Sequence, residues 1–347
     1  MNGGPPAELD RHPDVGLVPS RPLIESPVDA VFVISPGDRA LVEAGGSVVV
    51  GAPIAERLRD PRLEDKSVSE PVEPRPGDRW HALGGRVVAP PSPGAPRGAP
   101  GGEYLFPWKS RWRVATGDIV DPVETPVAGI VREVRPGTAI TIRAAGRGIR
   151  GIVALGGPTR GRLSLAAGPD GGLRPGTLDV GMAGAILVVD ARVDAETLTR
   201  ARAMGVRGIV VAGLASKERR DFLASEARQR AALHRLPPYA VLVMEGATRR
   251  PMAAQIMALF ASLAGREAAI IPDPPMLVFD APDLRVPTPS PDLVRIRAGA
   301  LIGHEARWVG AAGRRRFSSG VDLEAGHVRL TDGTTVAIPL GDLERFV

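Results

Sequence analysis

The stretch from Gly184 to Ile271 decides the fold, and its apolar runs are AILVVD (185–190), GIVVA (208–212), YAVLVME (239–245) and AAII (268–271). These runs are continuous rather than alternating, which is typical of parallel strands covered by helices on both faces. A helical pattern lies between each run and the next. Because strands joined by single helices run parallel with right-handed crossovers, the stretch predicts a swivelling or doubly wound α/β domain.

The three predicted helices carry end signals of their own. Asp194 is placed to cap the first helix, and Gly205 is placed to end it. Ser216 is the N-cap candidate of a second, charged helix that reaches about Leu233. The third helix begins at Pro251. Its apolar stripe, which we expect to pack on the sheet, consists of Met252, Ile256, Leu259, Phe260 and Leu263.

The composition limits the class of protein. A chain of 347 residues is long enough for two or three domains, each with its own core. The absence of cysteine excludes disulfides, thiolate metal sites and a cysteine nucleophile. No apolar run approaches a membrane span and the start of the chain has no signal-peptide pattern, so we expect a cytoplasmic protein without a membrane partner.

The charge is dominated by arginine. The formal net charge is +5, and only three of the 44 basic residues are lysines. A GC-rich genome produces this bias, so the charge by itself does not indicate nucleic-acid binding.

The part of the chain before Gly184 is predicted to be mostly β-structure. Residues 1–28 are polar and proline-rich without periodicity, which predicts a flexible arm. Short strand candidates separated by glycine and proline turns fill 29–183 and predict a β-rich module. A Pro/Gly-rich insertion interrupts it near 60–102. Its tract from 89 to 102 has too little apolar surface to offset about 1–2 kcal/mol of backbone entropy per residue, so we expect a surface loop there.

The glycines of residues 144–183 could suggest a phosphate-binding loop. A dinucleotide loop needs its glycines directly after a strand and at the start of a helix, and none of these glycines precedes a helical pattern. Turns between strands account for them better. We therefore predict no cofactor.

Two phrases of the β-rich module resemble a known family. Residues 34–54 and 117–134 are similar to the two half-motifs of the barrel-sandwich hybrid fold of biotinyl and lipoyl carrier domains. In those carriers a lysine on an exposed hairpin receives the cofactor, whereas neither half-motif here contains a lysine. The resemblance thus implies the fold without the carrier activity, as in the structural inserts of large assemblies.

The C-terminal residues 284–347 resemble a second family. The run from Val294 to Val309, with Gly299 and Gly303, is similar to a KOW motif, and strand candidates follow it at 327–330, 335–338 and 343–346. The resemblance implies a five-stranded SH3-like barrel. In transcription elongation factors and ribosomal proteins of bacteria, such barrels contact RNA, RNA polymerase or the ribosome.

The candidate nucleic-acid contacts of this module are Arg314, Arg315 and Arg316. From Asp280 to Val347 nine arginines are balanced by nine acidic residues, and this triplet is the local basic cluster, on a predicted loop between strands. The triplet can contact phosphates, or it can simply be a solvated basic tip.

A candidate ligand site lies in the α/β domain. Ligands of open α/β sheets bind beyond the carboxyl ends of the strands, where this chain has Asp190 and Glu245. Arg249 and Arg250 stand just before the third helix, where guanidinium and backbone N–H groups can hold a phosphate or carboxylate. In the alternative interpretation the two carboxylates cap turns and pair with these arginines.

The sequence thus predicts three modules in an order that resembles bacterial multi-module proteins: the β-rich module at 29–183, the α/β domain at 184–280 and the SH3-like barrel at 284–347. We interpret the chain as a non-enzymatic binding or scaffold protein with a protein, RNA or ribonucleoprotein partner in the transcription or translation machinery. The alternative is a small-ligand receptor or enzyme that uses Asp190, Glu245 and the arginine pair. No catalytic or metal-binding residue is predicted, and the oligomeric state is left open.

Overall fold

A computed structural model describes residues 14–35, 38–59, 63–68, 82–83, 86–88, 104–108, 111–115, 119–166, 171–232, 237–247, 250–286, 288 and 290–347. It has a mixed α+β architecture that is rich in strands. The sheets of the described residues are open rather than closed.

The first half of the chain consists of short strands. They are β1 (Ser20–Arg21), β2 (Val28–Val33), β3 (Arg39–Ala40), β4 (Ser47–Val48), β5 (Pro53–Arg59), β6 (Leu63–Val68), β7 (Ala82–Leu83), β8 (Arg86–Val88), β9 (Tyr104–Trp108), β10 (Arg111–Ala115), β11 (Ile119–Glu124), β12 (Gly129–Arg135) and β13 (Ala139–Ala144). A 3-10 turn, Val15–Leu17, precedes them.

The second half contains the α-helices. The first group of elements is β14 (Arg147–Arg150), β15 (Val153–Gly156), β16 (Thr159–Leu165), β17 (Ala185–Arg192), α1 (Ala195–Ala203), β18 (Gly208–Gly213), α2 (Ser216–Ala232), β19 (Ala240–Val243), α3 (Ala254–Leu263), β20 (Glu267–Ile271) and β21 (Met276–Phe279). The C-terminal strands are β22 (Leu293–Ile296), β23 (Glu305–Arg316), β24 (Asp322–Leu330), β25 (Thr335–Pro339) and β26 (Leu343–Phe346). Further 3-10 turns are Pro175–Thr177, Val180–Met182 and Leu340–Asp342.

The contacts divide the chain into two compact units. One comprises 1–30, 144–231 and 236–347, and the other comprises 31–143 and 232–235. The α/β domain and the C-terminal strands therefore belong to the same unit.

The α/β domain is built on an eight-stranded sheet of order β14-β21-β20-β16-β17-β18-β19-β15. Strands β16 to β19 are parallel. For β17 to β19 this confirms the prediction from the helical crossovers. The flanking strands β20, β21, β14 and β15 are antiparallel to their neighbours, so the sheet is mixed. The predicted boundary at residue 184 is too late, because β14, β15 and β16 belong to this sheet. The sequence prediction assigned this stretch to the preceding module, because its glycines indicate hairpin turns between short strands.

Helices cover both faces of this sheet, as the continuous apolar runs predicted. On one face the strands pack against Ile256, Leu259 and Phe260 of α3. On the other face they pack against Leu198 of α1 and Phe222 of α2. The apolar stripe of α3 is buried along its whole length, which confirms that prediction.

Close packing between strands explains two of the glycines before residue 184. A Cβ at Gly156, whose φ is +89°, would lie 2.2 Å from the carbonyl oxygen of Tyr239. A Cβ at Gly161 would lie 2.4 Å from the carbonyl oxygen of Gly184. These glycines let neighbouring backbones approach each other, and neither one opens a helix.

The C-terminal strands form an open six-stranded sheet of order β1-β26-β22-β23-β24-β25. Its core contains Trp308 and Val328, both of which are buried. The strand positions expected from the KOW-like run are present. The sixth strand, β1, comes from the start of the chain and runs parallel to β26.

The segment 14–28 differs from the predicted flexible arm. Val18 and Leu23 are buried, and the N–H group of Leu23 donates to the carbonyl oxygen of Val347 at 2.9 Å. The sequence pattern did not indicate this order, because the order depends on the pairing of β1 with β26, a strand far away in the sequence. Residues 1–13 lie outside the described part of the chain.

The second unit contains three small sheets, of orders β11-β5-β3, β2-β13-β12-β4 and β6-β10-β9-β8-β7. The two phrases that resemble the half-motifs pair with each other, since β11 pairs with β5 and β12 pairs with β4. Strands β6, β7 and β8 lie in the region predicted as an insertion, whereas the tract from 89 to 102 lies outside the described residues.

No helix in the described ranges combines the length and the apolar character needed to cross a membrane.

Candidate functional site

Three carboxylates surround the start of α3. The N–H groups of residues 252, 253 and 254 donate to Asp190 Oδ1, Glu245 Oε1 and Glu305 Oε1 at 3.1, 3.3 and 2.9 Å, respectively. Asp190 follows the buried run of β17, Glu245 follows β19, and Glu305 comes from the C-terminal sheet. These donors are therefore already used within the protein.

Glu245 also forms a buried ionic cluster with two arginines. Its Oε2 lies 3.1 Å from the Nη2 of Arg250, and its Oε1 lies 3.0 Å from the Nη1 of Arg295 on β22. The exposed fractions of these side chains are 2%, 6% and 3% for Glu245, Arg250 and Arg295. The cluster therefore links the α/β sheet to the C-terminal sheet through side chains that are almost completely buried.

Backbone carbonyl groups accept further hydrogen bonds from the two arginines of this cluster. Arg250 donates to the carbonyl oxygen of Glu245 at 2.6 Å, and Arg295 donates to that of Pro251 at 2.7 Å. Burial raises the pKa of the Glu245 carboxyl, while the charges of Arg295 and Arg250 oppose this shift. Burial lowers the pKa of Arg250, and Glu245 opposes that shift in turn.

These contacts show how the candidate ligand residues at the start of α3 are arranged. Asp190 and Glu245 cap the turn and Glu245 pairs with Arg250, which is the alternative that the sequence left open. Arg249 lies outside the described residues. The sequence could not show this arrangement, because Glu305 and Arg295 lie more than forty residues beyond Arg250 and reach it only through tertiary packing.

A crevice lies at the edge of the sheet that the sequence indicated, but different residues form it. Its volume is about 420 Å³. It opens at the carboxyl ends of β17 and β18, beside the loop that follows β19, which is where open α/β sheets bind ligands. The residues that line it are Gly172, Leu173, Arg174, Pro175, Arg192, Val193, Asp194, Gly213, Ala215, Glu218 and Ala247.

The two carboxylates of the crevice cap α1. Asp194 Oδ1 accepts from the N–H group of Thr197 at 2.7 Å, and Glu218 Oε2 accepts from that of Ala195 at 2.8 Å. Both acids therefore offset the positive end of this helix. The guanidinium groups of Arg174 and Arg192 are the cationic part of the lining, and Leu173, Pro175 and Val193 are its apolar part.

Sequence reasoning identified Asp194 as a helix cap but missed Arg174 and Arg192 as site residues. Arg192 was detectable in principle, because it ends a strand at the carboxyl edge of the predicted sheet. Arg174 lies in the glycine-rich stretch, where no local pattern indicates which edge of the sheet it approaches.

The acidic side chains in the described lining of the crevice are Asp194 and Glu218, and both accept hydrogen bonds from the start of α1. Histidine, lysine, serine, threonine and tyrosine are all absent from this described lining. Within the described ranges, no group of three or more histidine, aspartate and glutamate side chains is placed to hold a metal ion. The arrangement is suited to holding an anion beside an apolar wall.

Arg314, Arg315 and Arg316 lie at the end of β23 rather than on the predicted loop. They are paired in register with Glu324, Leu323 and Asp322 of β24, and all three arginines are exposed. Strand β25 pairs with β24 only over residues 325–329, so the arm 311–324 extends as a two-stranded ribbon. Two of the three arginines therefore have an acidic residue opposite them, which reduces the positive charge of the ribbon.

No family model, curated protein sequence or solved structure matches this chain. The geometry of the crevice and the ribbon is thus the basis for a functional assignment.

Proposed function

We propose that this is a non-enzymatic binding protein that takes a small organic anion in the crevice at the carboxyl edge of β17 and β18. The observation that carries the proposal is a cavity of about 420 Å³ with Arg174 and Arg192 in its lining. Ligand pockets commonly have volumes of roughly 300–1,000 Å³. The position, the volume and the charge all favour a ligand site.

The lining defines the class of ligand. A guanidinium group binds a carboxylate or a phosphate group through two parallel hydrogen bonds. The side chains of Leu173, Pro175 and Val193 can cover an apolar body attached to that group. Arg174 and Arg192 are the cationic residues of the described lining, so they are the groups that would recognise the anion.

Thermal unfolding of the full chain tests this assignment. The probes are phenyl phosphate and benzoate, with sodium chloride at matched ionic strength as the reference. At a probe concentration of 100 Kd, we expect stabilisation by about 2.7 kcal/mol, because a ligand that binds only the folded state shifts the equilibrium. The double variant Arg174→Gln/Arg192→Gln should lose this stabilisation.

The matched control is Arg200→Gln on the exposed side of α1, which keeps the helix and leaves the crevice lining unchanged. It should respond to the probes as the original chain does. If neither probe raises the unfolding temperature, or if the double variant keeps the full shift, the crevice is not an anion site.

We propose a second binding function for the C-terminal sheet, as an SH3-like module that contacts RNA or DNA through the ribbon 311–324. The KOW-like run from Val294 supports it, and so does the projection of three exposed arginines beyond β25. A two-stranded ribbon fits the major groove of duplex DNA. Association with the transcription or translation machinery is the role that the resemblance implies for it.

The proposed role of the β-rich module is structural. Its two half-motifs pair in two sheets, as a barrel-sandwich hybrid requires, and they contain no lysine to carry biotin or lipoate. The module then serves as a spacer or scaffold for the binding units.

Salt dependence tests the nucleic-acid contact. With three phosphate contacts, log affinity of the full chain should fall against log salt with a slope of about −2 to −3, since each contact contributes roughly −0.7 to −0.9. Replacing Arg314, Arg315 and Arg316 by glutamine should flatten this slope. Binding to single-stranded RNA and to duplex DNA would be measured by fluorescence anisotropy at several salt concentrations.

A second triple variant controls for total charge. Arg219, Arg220 and Arg228 are exposed on α2, and their replacement by glutamine removes the same charge from a different surface. This variant should keep the original slope. Equal losses in both triple variants would mean that net charge rather than the ribbon attracts the nucleic acid, and undetectable binding at low salt would leave a protein partner for this sheet.

A further inference from the structure

We propose that a second, smaller cavity in the same unit is a binding site for a tetrahedral oxyanion such as phosphate. This cavity has a volume of about 210 Å³. It lies between the N-terminal segment, the residues that follow β14, the loop before α3, and the C-terminal sheet. The residues that line it are Pro19, Ser20, Arg21, Arg150, Gly151, Ile152, Glu245, Arg250, Arg297 and Glu344.

The cavity carries an excess of positive charge. Five guanidinium groups face or adjoin it against three carboxylates, a formal excess of two positive charges. The positively charged groups are Arg21, Arg150, Arg250, Arg295 and Arg297. The negatively charged groups are Glu25, Glu245 and Glu344. A doubly charged anion would make the site neutral.

The carboxylates are already engaged with arginines. Glu245 is shared by Arg250 and Arg295 at 3.1 and 3.0 Å. Glu344 lies 3.6 Å from Arg297, and Glu25 forms an ion pair with Arg150. The three carboxylates do not neutralise all five arginines, so an excess of positive charge remains along the wall of the cavity.

An incompletely satisfied donor supplies an independent indication. The Arg250 side chain has an exposed fraction of 6%, and among the described residues its Nε has no hydrogen-bond partner. A buried donor without an acceptor costs free energy, more so when the group is charged. Oxygen atoms of a bound anion are suitable acceptors for a guanidinium group.

The size and the lining favour a small oxyanion. A cavity of about 210 Å³ has room for several water molecules, and therefore for an ion with one central atom and four oxygens. Its side-chain walls are guanidinium and carboxylate groups, apart from Pro19, Ser20 and Ile152. The ion can be free phosphate or the terminal phosphate of a larger molecule, because both present the same group to the arginines.

Calorimetric titration tests the site in the full chain. Inorganic phosphate is titrated at fixed ionic strength into the Arg174→Gln/Arg192→Gln variant, so that binding in the crevice does not contribute. We expect saturable binding of one phosphate ion per chain. The result of this titration therefore does not depend on whether the crevice binds an anion.

Two substitutions should change the affinity in opposite directions. Arg297, whose side chain is half exposed, can be changed to glutamine, and binding should weaken about tenfold because one charged donor is lost. Glu344→Gln removes a negative charge beside the ion, so binding should strengthen severalfold. Arg307→Gln, on the same sheet but outside the cavity, is the matched control and should leave the affinity unchanged.

The two sources of the phosphate group are separated by a second titration with phenyl phosphate. Comparable affinities would indicate a site that accepts the end of a larger molecule, and binding of inorganic phosphate alone would indicate a site for the free ion. An absence of phosphate binding above chloride at matched ionic strength would overturn the proposal. So would variants Arg297→Gln and Glu344→Gln that bind with unchanged affinity, or that both bind more weakly.

Discussion

Replacing Glu245 by alanine should lower the free energy of unfolding by about 3–5 kcal/mol, the usual cost of removing one partner from a buried ionic cluster. The variant leaves Arg250 and Arg295 close together and nearly excluded from solvent, with exposed side-chain fractions of 6% and 3%. It also removes an acceptor from the N–H group of Ala253. The cost is therefore one of uncompensated charge as well as lost hydrogen bonds.

Urea unfolding of the full chain, followed by circular dichroism, measures this effect. Glu267→Ala is the matched control, because Glu267 pairs with Arg160 at 3.2 Å while its side chain is 53% exposed. Exposed ion pairs contribute only about 0–1 kcal/mol, so this control should change little. A loss below about 1 kcal/mol for Glu245→Ala would show that the two arginines reach solvent or other acceptors without it.

Replacing Trp308 by alanine should cost about 3–5 kcal/mol, the range for truncating a large buried aromatic side chain. Trp308 has an exposed fraction of 1% and packs in the core of the C-terminal sheet with Ile296 and Leu343. The neighbouring strand has Gly326 beneath the indole ring. A Cβ at that glycine would lie 1.9 Å from the ring, which is far inside the contact distance.

A double-mutant cycle connects these two positions. Gly326→Ala should destabilise the original chain by about 1–3 kcal/mol through overpacking. In the Trp308→Ala background the ring is absent, so the same substitution should be nearly neutral, and the coupling between the two sites should exceed about 1 kcal/mol. Additive effects of the two substitutions in urea unfolding would mean that the ring can move away from the alanine at little cost.

The helices and the central strands followed from local patterns. Continuous apolar runs predicted β17 to β19, Asp194 and Gly205 marked the limits of α1, and the apolar stripe predicted which side of α3 is buried. These features depend on backbone geometry and on neighbours within about four residues, so a short stretch of sequence contains the information that determines them. They were therefore readable without the rest of the chain.

The membership of the sheet required the tertiary structure. Strands β14 to β16 lie in the glycine-rich stretch 144–183, and only their pairing with β21, β19 and β17 shows that they belong to the α/β domain. The segment 14–28 is ordered for the same kind of reason, because it pairs with the end of the chain. Strand pairing over such separations is decided by topology, which local periodicity does not contain.

The candidate sites show the same division. From the apolar runs alone, the carboxyl edge of the parallel strands could be located as the place for a ligand, but the groups that form the crevice could not. Packing of the C-terminal sheet brings Arg295 to the carboxylate of Glu245 and Glu305 to the N–H group of Ala254. The sequence alone had left both groups available for a ligand. Arg174 and Arg192 reach a common cavity for an equivalent reason: the N–H group of Leu173 donates to the carbonyl oxygen of Arg192, which places residues 172–175 beside the end of β17. Side chains distant in sequence become neighbours through chain topology and core packing, and so the tertiary structure alone decides which charges are buried and paired and which line a cavity.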